Sequence, residues 1–210
     1  MDDLKLLDSH NEKVLGLIWT PTEDRFIYKV KLNFATKFRN VRKGPYLDGL
    51  SLDANLPKIL TKRMIQSQVA AIYDPLGLNV PFTLIPKVLM RETITNERNM
   101  GSVCGWDDAI PERLRDKWSN FFHEVFELEN LSFARCVKPE NALGKPMLVI
   151  YSDGSLLAYG ACAYVRWELV DGHYESHLVM AKNRIAPIKQ LTIPHLELCG
   201  GHNLPTAGLN

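Results

Sequence analysis

Apolar and polar side chains alternate most clearly between Phe26 and Phe34. Phe26, Tyr28, Val30, Leu32 and Phe34 fall on one side, and Lys29, Lys31 and Asn33 on the other. A period of two carried by aromatic and β-branched residues predicts a strand. Upstream, the run Lys13 to Trp19 is apolar enough for a buried strand, and Thr20–Asp24 has turn composition, so the two segments predict a hairpin. The period then changes. Within 57–73, Ile65, Val69 and Ile72 recur at helical spacing behind a Thr61 cap, and Asp74-Pro75 stops the helix because a residue before proline is pushed out of the α region. Residues 80–95 predict a second helix, with Pro81 near its start and Pro86 as a kink. The third and clearest covers 111–129, opened by Pro111 behind Asp107 and Asp108. Its Leu114, Trp118, Phe121, Phe122, Val125 and Phe126 build one broad stripe, read as a core face.

Residues 130–146 hold Pro139, Gly144 and Pro146 among polar residues and read as a linker. Beyond them the pattern is β. Strands are predicted at 147–151, 159–169 and 174–181, with Asp171-Gly172 as the hairpin turn between the last two. Residues 191–198 start a helix from a Thr192 cap with Pro194 in the first turn. The fold class expected is mixed, α+β or α/β: a β-hairpin, a helical middle, then three antiparallel strands and a helix.

Charge changes this picture more than composition does. The net charge of +1 hides a basic stretch from Arg25 to Lys43, in which Arg25, Lys29, Lys31, Lys37, Arg39, Arg42 and Lys43 occur with no acid. Between Asp107 and Glu129 the acids outnumber the bases. The first stretch could face phosphates; the second would be repelled by them. No two of Cys104, Cys136, Cys162 and Cys199 lie closer than 26 residues, which leaves no metal knuckle and points to free thiols. No leader and no long apolar run is visible, so an intracellular chain without a membrane partner is expected.

Two acids could carry chemistry. Asp153 ends the first C-terminal strand, in Tyr151-Ser152-Asp153-Gly154-Ser155, and Glu197 lies on the helix after the third. A carboxylate at a strand end facing one on a helix suits Mg2+ or Mn2+, and paired ions of this kind activate water for phosphodiester hydrolysis. Solvated surface charge explains the two acids equally well. The wider context adds more. The string Leu148 to Ser155, followed by Ala158-Tyr-Gly-Ala-Cys-Ala-Tyr-Val165, resembles the first hairpin of retroelement RNase H domains. Ala181–Pro187 and Gln190–Gly200 are similar to segments of the BEL/Pao class of retrotransposons. Lys13–Trp19, Thr61-Lys62-Arg63, Tyr73-Asp74-Pro75-Leu76-Gly77 and Trp106-Asp107-Asp108 resemble the same polyprotein in the same order.

That resemblance implies three parts: the end of a reverse transcriptase palm with a primer-grip-like hairpin over 1–56, a helical thumb and connection over 57–146, and the first part of an RNase H-like domain over 147–210. It implies that Asp153 is the first metal-binding Asp and Glu197 the helix-borne Glu. The family site needs two further acids on later elements, and the chain reaches Asn210 without them; its tail 201–210 offers no carboxylate, and His202 is its one conventional metal-binding side chain. Asp2 and Asp3 resemble the paired polymerase aspartates only superficially, since one residue precedes them. The expectation is therefore a polyprotein fragment that is inactive and binds RNA–DNA hybrid or other nucleic acid through 25–43 without sequence preference.

Two other readings stay open: a nuclease whose site is completed by the rest of the polyprotein or another partner, and a domesticated protein-interaction module. The region is also labelled a Pao-type peptidase. The order Asp153-Gly154-Ser155 is not the Asp-Thr/Ser-Gly of retroviral-type aspartic peptidases, and His195 beside Glu197 reads as part of a partly exposed helix face.

Overall fold

A computed structural model describes residues 12–14, 17–35, 37–38, 41–99 and 105–202. Asp2, Asp3, Arg39, Cys104 and the tail from Asn203 lie outside the described residues. The chain divides into two compact units. One comprises Met1–Tyr73 with Ile85–Phe133, the other Asp74–Leu84 with Ala134–Asn210.

In the first unit, strands β1 (Glu12–Val14), β2 (Leu17–Thr20) and β3 (Arg25–Ile27) are joined by β6 (Ser132–Ala134) in a four-stranded sheet of order β1-β2-β3-β6. The β2–β3 hairpin turns through Asp24, at φ +50, whose carboxylate accepts the Trp19 indole N–H at 3.0 Å. A two-stranded ribbon, β4 (Lys37–Phe38) and β5 (Val41–Arg42), follows. The helices are α1 (Leu52–Asn55), α2 (Lys62–Val69), α3 (Val80–Asn99) and α4 (Glu112–Glu124); a 3₁₀ segment over Val125–Asn130 continues α4. Thr61 caps α2 through its hydroxyl, which accepts Met64 N–H at 3.2 Å. Pro111 takes the cap position of α4. Leu114, Trp118, Phe121, Phe122 and Val125 are buried as the helical stripe requires, with Leu17, Leu32, Leu52, Leu60 and Ile65 around them.

The strand expected over 26–34 stops at Ile27, yet its burial still alternates: Tyr28, Val30 and Leu32 are buried, while Lys29 and Lys31 are not. The ladder ends because side chains take its place. Val30 N–H donates to Glu129 Oε1 at 2.8 Å and Asn33 N–H to Gln68 Oε1 at 2.9 Å, while Leu32 bridges Leu47. Asn33, expected on the solvent side, is buried and returns the bond by accepting Gln68 Nε2 at its carbonyl, 2.8 Å away. A buried backbone group must be satisfied, and a strand partner is only one way to do it.

The second unit is an antiparallel sheet of three strands, β7 (Ala142–Gly154), β8 (Ala158–Leu169) and β9 (Tyr174–Ile185), in the order β7-β8-β9, with helix α5 (Ile193–Gly201) on it. Gly172, at φ +81, makes the β8–β9 turn, where its N–H donates to Leu169 O. β7 begins at Ala142, inside the stretch that reads as a linker. Gly144, Lys145 and Pro146 lie in a register shift between Leu143 and Met147, a bulge opened by Gly144 at φ +59.

Residues 74–84 belong to this unit and close the free side of β9. The Asp74 carboxylate accepts Leu78 N–H and Asn79 N–H, each at 2.9 Å, and so fixes the turn that leads into α3. Ala181 N–H donates to Leu76 O at 2.9 Å, and Asn183 Nδ2 to Val80 O at 2.7 Å. Gly77, at φ +74, lies flat on β9: an added Cβ would sit 1.9 Å from Ala181 O.

Candidate functional site

Asp153 sits on β7 opposite Gly160 of β8. Its Oδ1 accepts the Gly154 N–H at 2.8 Å, which orients the carboxylate at the strand end. Helix α5 is laid directly on this end through glycines. A Cβ on Gly154 would stand 2.7 Å from Glu197 N, and one on Gly200 would stand 2.9 Å from Gly160 O and 3.1 Å from Asp153 O. Small residues are needed there because helix backbone meets strand backbone with no room for a side chain. The same contact sets the Glu197 backbone beside the residue that follows Asp153.

The two carboxylates nevertheless face different surroundings. Side chains alternate along a strand, so Ser152 and Gly154 face the helix while Tyr151 and Asp153 lie on the other face. Asp153 lines a depression of about 870 Å³ with Tyr151, Cys162, Tyr164, Val80 and Leu84. Tyr151 and Tyr164 meet edge to face at 6.1 Å, and burial, then the neighbouring Cys162, holds the Tyr164 phenol above its usual range. Glu197 lines a separate depression of about 630 Å³ with Ser152, Pro194, Leu198, Gly201 and His202. Asp153 and Glu197 are both exposed. The two acids line different depressions, which meet at Ser152. Among the described residues, no three His, Cys, Asp or Glu gather as a metal-binding group.

His195 is exposed, as its place on the helix suggests; its Nδ1 lies 2.8 Å from the Thr192 hydroxyl, which therefore serves the imidazole rather than capping the helix backbone. The sequence reading did not single out the Tyr151–Tyr164 pair, and it named His202 as a conventional metal-binding side chain without placing it beside Glu197. The strand alternation of Tyr151 was the signal available.

The basic stretch is partly absorbed into the fold. Arg25 Nε donates to Ser132 Oγ at 2.9 Å and Nη2 to Ser132 O at 3.0 Å, tying β3 to β6. Lys29 pairs with Glu129 at 3.1 Å. Arg42 donates to Asn33 O and Ser67 Oγ. Lys31 is exposed, its ammonium 5.4 Å from the centre of the Tyr46 ring, and Lys43 is exposed. Lys37 belongs to β4, its side chain outside the described residues, as is Arg39. Arg42 of that stretch meets a base from outside it, Arg63. Arg42 and Arg63 border a depression of about 820 Å³ with Phe34, Met64, Ser67 and Trp106. Arg63 is held by Asp107 through paired bonds of 2.6 and 3.0 Å, which lowers the Asp107 carboxyl below its usual range.

No helix among the described residues is long and apolar enough to cross a membrane. No curated protein and no solved structure matches the chain. A family model, described as the Pao retrotransposon-like RNaseH-like domain, matches residues 61–207. That match takes in most of the chain, including helices α2–α5, the β7–β9 sheet, Asp153 and Glu197; the chain belongs to the family of Pao retrotransposon-like RNaseH-like domains.

Proposed function

We propose that the chain is a region of a BEL/Pao-type retrotransposon polyprotein, running from the end of a reverse transcriptase through a connection into the opening of an RNase H-like domain. In this reading it holds nucleic acid by charge and does not cleave it with its own residues. The observation that carries the proposal is the β7 end: an Asp at the close of the first antiparallel strand, with a Glu-bearing helix seated on the glycine that follows. The separate depressions of Asp153 and Glu197 support the inactive half of it. Further acids from another part of the polyprotein would be needed before oxygen donors of this kind took Mg2+ or Mn2+. When bound, such an ion would polarise the phosphoryl oxygen and activate water.

Non-specific binding through Lys and Arg releases counterions, so affinity falls as salt rises, with a slope of roughly 0.7–0.9 per phosphate neutralised. Lys29, Lys31 and Lys43 are the exposed members of the 25–43 stretch with described side chains, Lys29 being paired with Glu129, and Arg63 and Trp106 line one depression. Titrating labelled RNA–DNA hybrid across a salt series tests this. The expected result is binding that weakens steeply with salt, and a Lys31→Glu, Lys43→Glu double variant whose slope drops by about two. Binding that is indifferent to salt, or absent at low salt, would remove the nucleic-acid reading and favour a protein-interaction role.

A further inference from the structure

Three Asp-Gly pairs occur in the chain: Asp48-Gly49, Asp153-Gly154 and Asp171-Gly172. Such a pair can rearrange without an enzyme. The glycine nitrogen attacks the aspartate Cγ, water leaves, and a succinimide ring remains. A second water reopens the ring to aspartate or to isoaspartate, in which the chain runs through Cγ. Glycine favours the step because it has no Cβ to obstruct ring closure. The three pairs share that glycine; their surroundings differ.

At Asp48 the carboxylate is turned past Gly49. Its Oδ1 accepts Ser51 N–H at 2.8 Å, and bonds from Ser51, the side chain first and the backbone second, hold the carboxyl below its usual range. The neutral acid that can lose water is scarcer there. At Asp153 the carboxylate does meet its own glycine, with Oδ1 accepting Gly154 N–H at 2.8 Å. That glycine lies under α5, with Glu197 N 2.7 Å from where a Cβ would stand. Ring closure swings the peptide, and close packing beneath the helix leaves no room for it.

Asp171-Gly172 is free of both restraints. It lies at the exposed β8–β9 turn, where Gly172, at φ +81, has nothing within 4 Å of an added Cβ and so has room to rotate. Asp171 Oδ1 accepts His173 N–H at 3.0 Å, which folds the carboxylate back over the Gly172 peptide. The His173 imidazole stands beside it, with Nδ1 3.3 Å from the same oxygen. The attacking nitrogen gives up one bond, from Gly172 N–H to Leu169 O at 2.9 Å.

We propose that Asp171 is a site of spontaneous isoaspartate formation, with His173 as the acid that assists the loss of water. Starting from the neutral carboxyl, the Gly172 nitrogen bonds to Cγ and sheds its proton. The Cγ–O bond then breaks, and the hydroxyl leaves as water with the imidazolium proton; the proton shed by nitrogen restores the imidazolium. Hydrolysis of the ring at the main-chain carbonyl lengthens the backbone by one atom and frees that carbonyl as a carboxylate. The bonds from Leu169 to Gly172 and His173 that close the turn are then out of place. This chemistry is confined to one turn and is independent of whether the chain binds nucleic acid.

Ageing the whole folded chain at neutral pH and body temperature tests it. Each Asp-Gly falls in its own tryptic peptide, and electron-transfer fragmentation tells the two linkages apart. Isoaspartate is expected at Asp171 before either other site, with a lead that shrinks when the chain is aged in urea. His173→Gln, at unchanged circular dichroism, should slow conversion at Asp171 by about fivefold and leave the other two sites alone. That is short of the roughly hundredfold a buried general acid supplies, because both groups here are exposed. Isoaspartate first at Asp48 or Asp153, none in the folded chain, a lead undiminished in urea, or conversion at Asp171 indifferent to His173→Gln would overturn the proposal.

Discussion

Gly77 and Gly144 both adopt positive φ, but only one of them is hemmed in. At Gly144 nothing lies within 4 Å of an added Cβ, so Gly144→Ala should cost about 1 kcal/mol, the backbone strain alone. At Gly77 the new carbon would meet the Ala181 carbonyl at 1.9 Å, so Gly77→Ala must also break the seal on β9 and should cost about 3 kcal/mol. Urea denaturation of the two variants in parallel measures the difference; equal losses would contradict this role for Gly77. The buried Asn33–Gln68 exchange makes a similar demand. Gln68→Leu strands an N–H and a carbonyl out of water and should cost about 2 kcal/mol.

A pH effect belongs to this scale too. Glu92 accepts two bonds of 2.8 Å from Lys117 and one of 3.3 Å from Arg113, and chiefly the Lys117 bond lowers its carboxyl below the usual 4.5. A carboxyl depressed in the folded state contributes stability above its unfolded value and loses it as pH falls through the folded one. Lys117→Met should therefore cost about 1 kcal/mol at pH 7 and progressively less below pH 4.5. A penalty that did not shrink in acid would assign the loss to packing instead.

Among the elements, those built from long periodic patterns match their sequence reading closely. The Trp118–Phe122 stripe, the Thr61 cap, the Asp171-Gly172 turn and the start of α5 at Thr192 are each a local signal with a local cause. The departures arise where a partner distant in sequence decides. Residues 28–34 alternate like a strand, but Glu129 and Gln68 supply the acceptors that a neighbouring strand would have supplied. Residues 142–146 read as linker because Gly144 and Pro146 disfavour a ladder, yet a bulge on an edge strand admits both. Tyr73-Asp74-Pro75-Leu76-Gly77 reads as a turn, and nothing in its composition reveals that it closes β9.

These elements also predict how the chain responds to a protease. A cut within 134–146 would release a piece lacking residues 74–84, which belong to its own unit. That piece should aggregate or be digested further, whereas a fragment from Asp74 to the end should retain protected amides in β9. A stable, monodisperse piece beginning near Ala142 would show that the Leu76–Val80 seal is dispensable.

Taken whole, the molecule has two compact units, and the RNaseH-like family match over 61–207 draws on both. The family was legible because several short motifs occur in one order, and Asp153 and Glu197 were legible as the strand-end and helix acids. That the two line different depressions was not. Helical spacing and strand parity place a residue on a face, but whether two faces meet depends on how Gly154 and Gly200 seat the helix. The basic stretch shows the same limit: charge counts are visible in sequence, while the internal bonds of Arg25, Lys29 and Arg42 are not.

The most direct test of this account is cleavage of a labelled RNA–DNA hybrid by the chain in magnesium or manganese, alongside Asp153→Asn. The account predicts no cleavage by either protein, with the hybrid still bound at low salt. Cleavage that disappears in Asp153→Asn would show that Asp153 works in a completed metal site, and would contradict the reading of an inert chain that holds nucleic acid by charge.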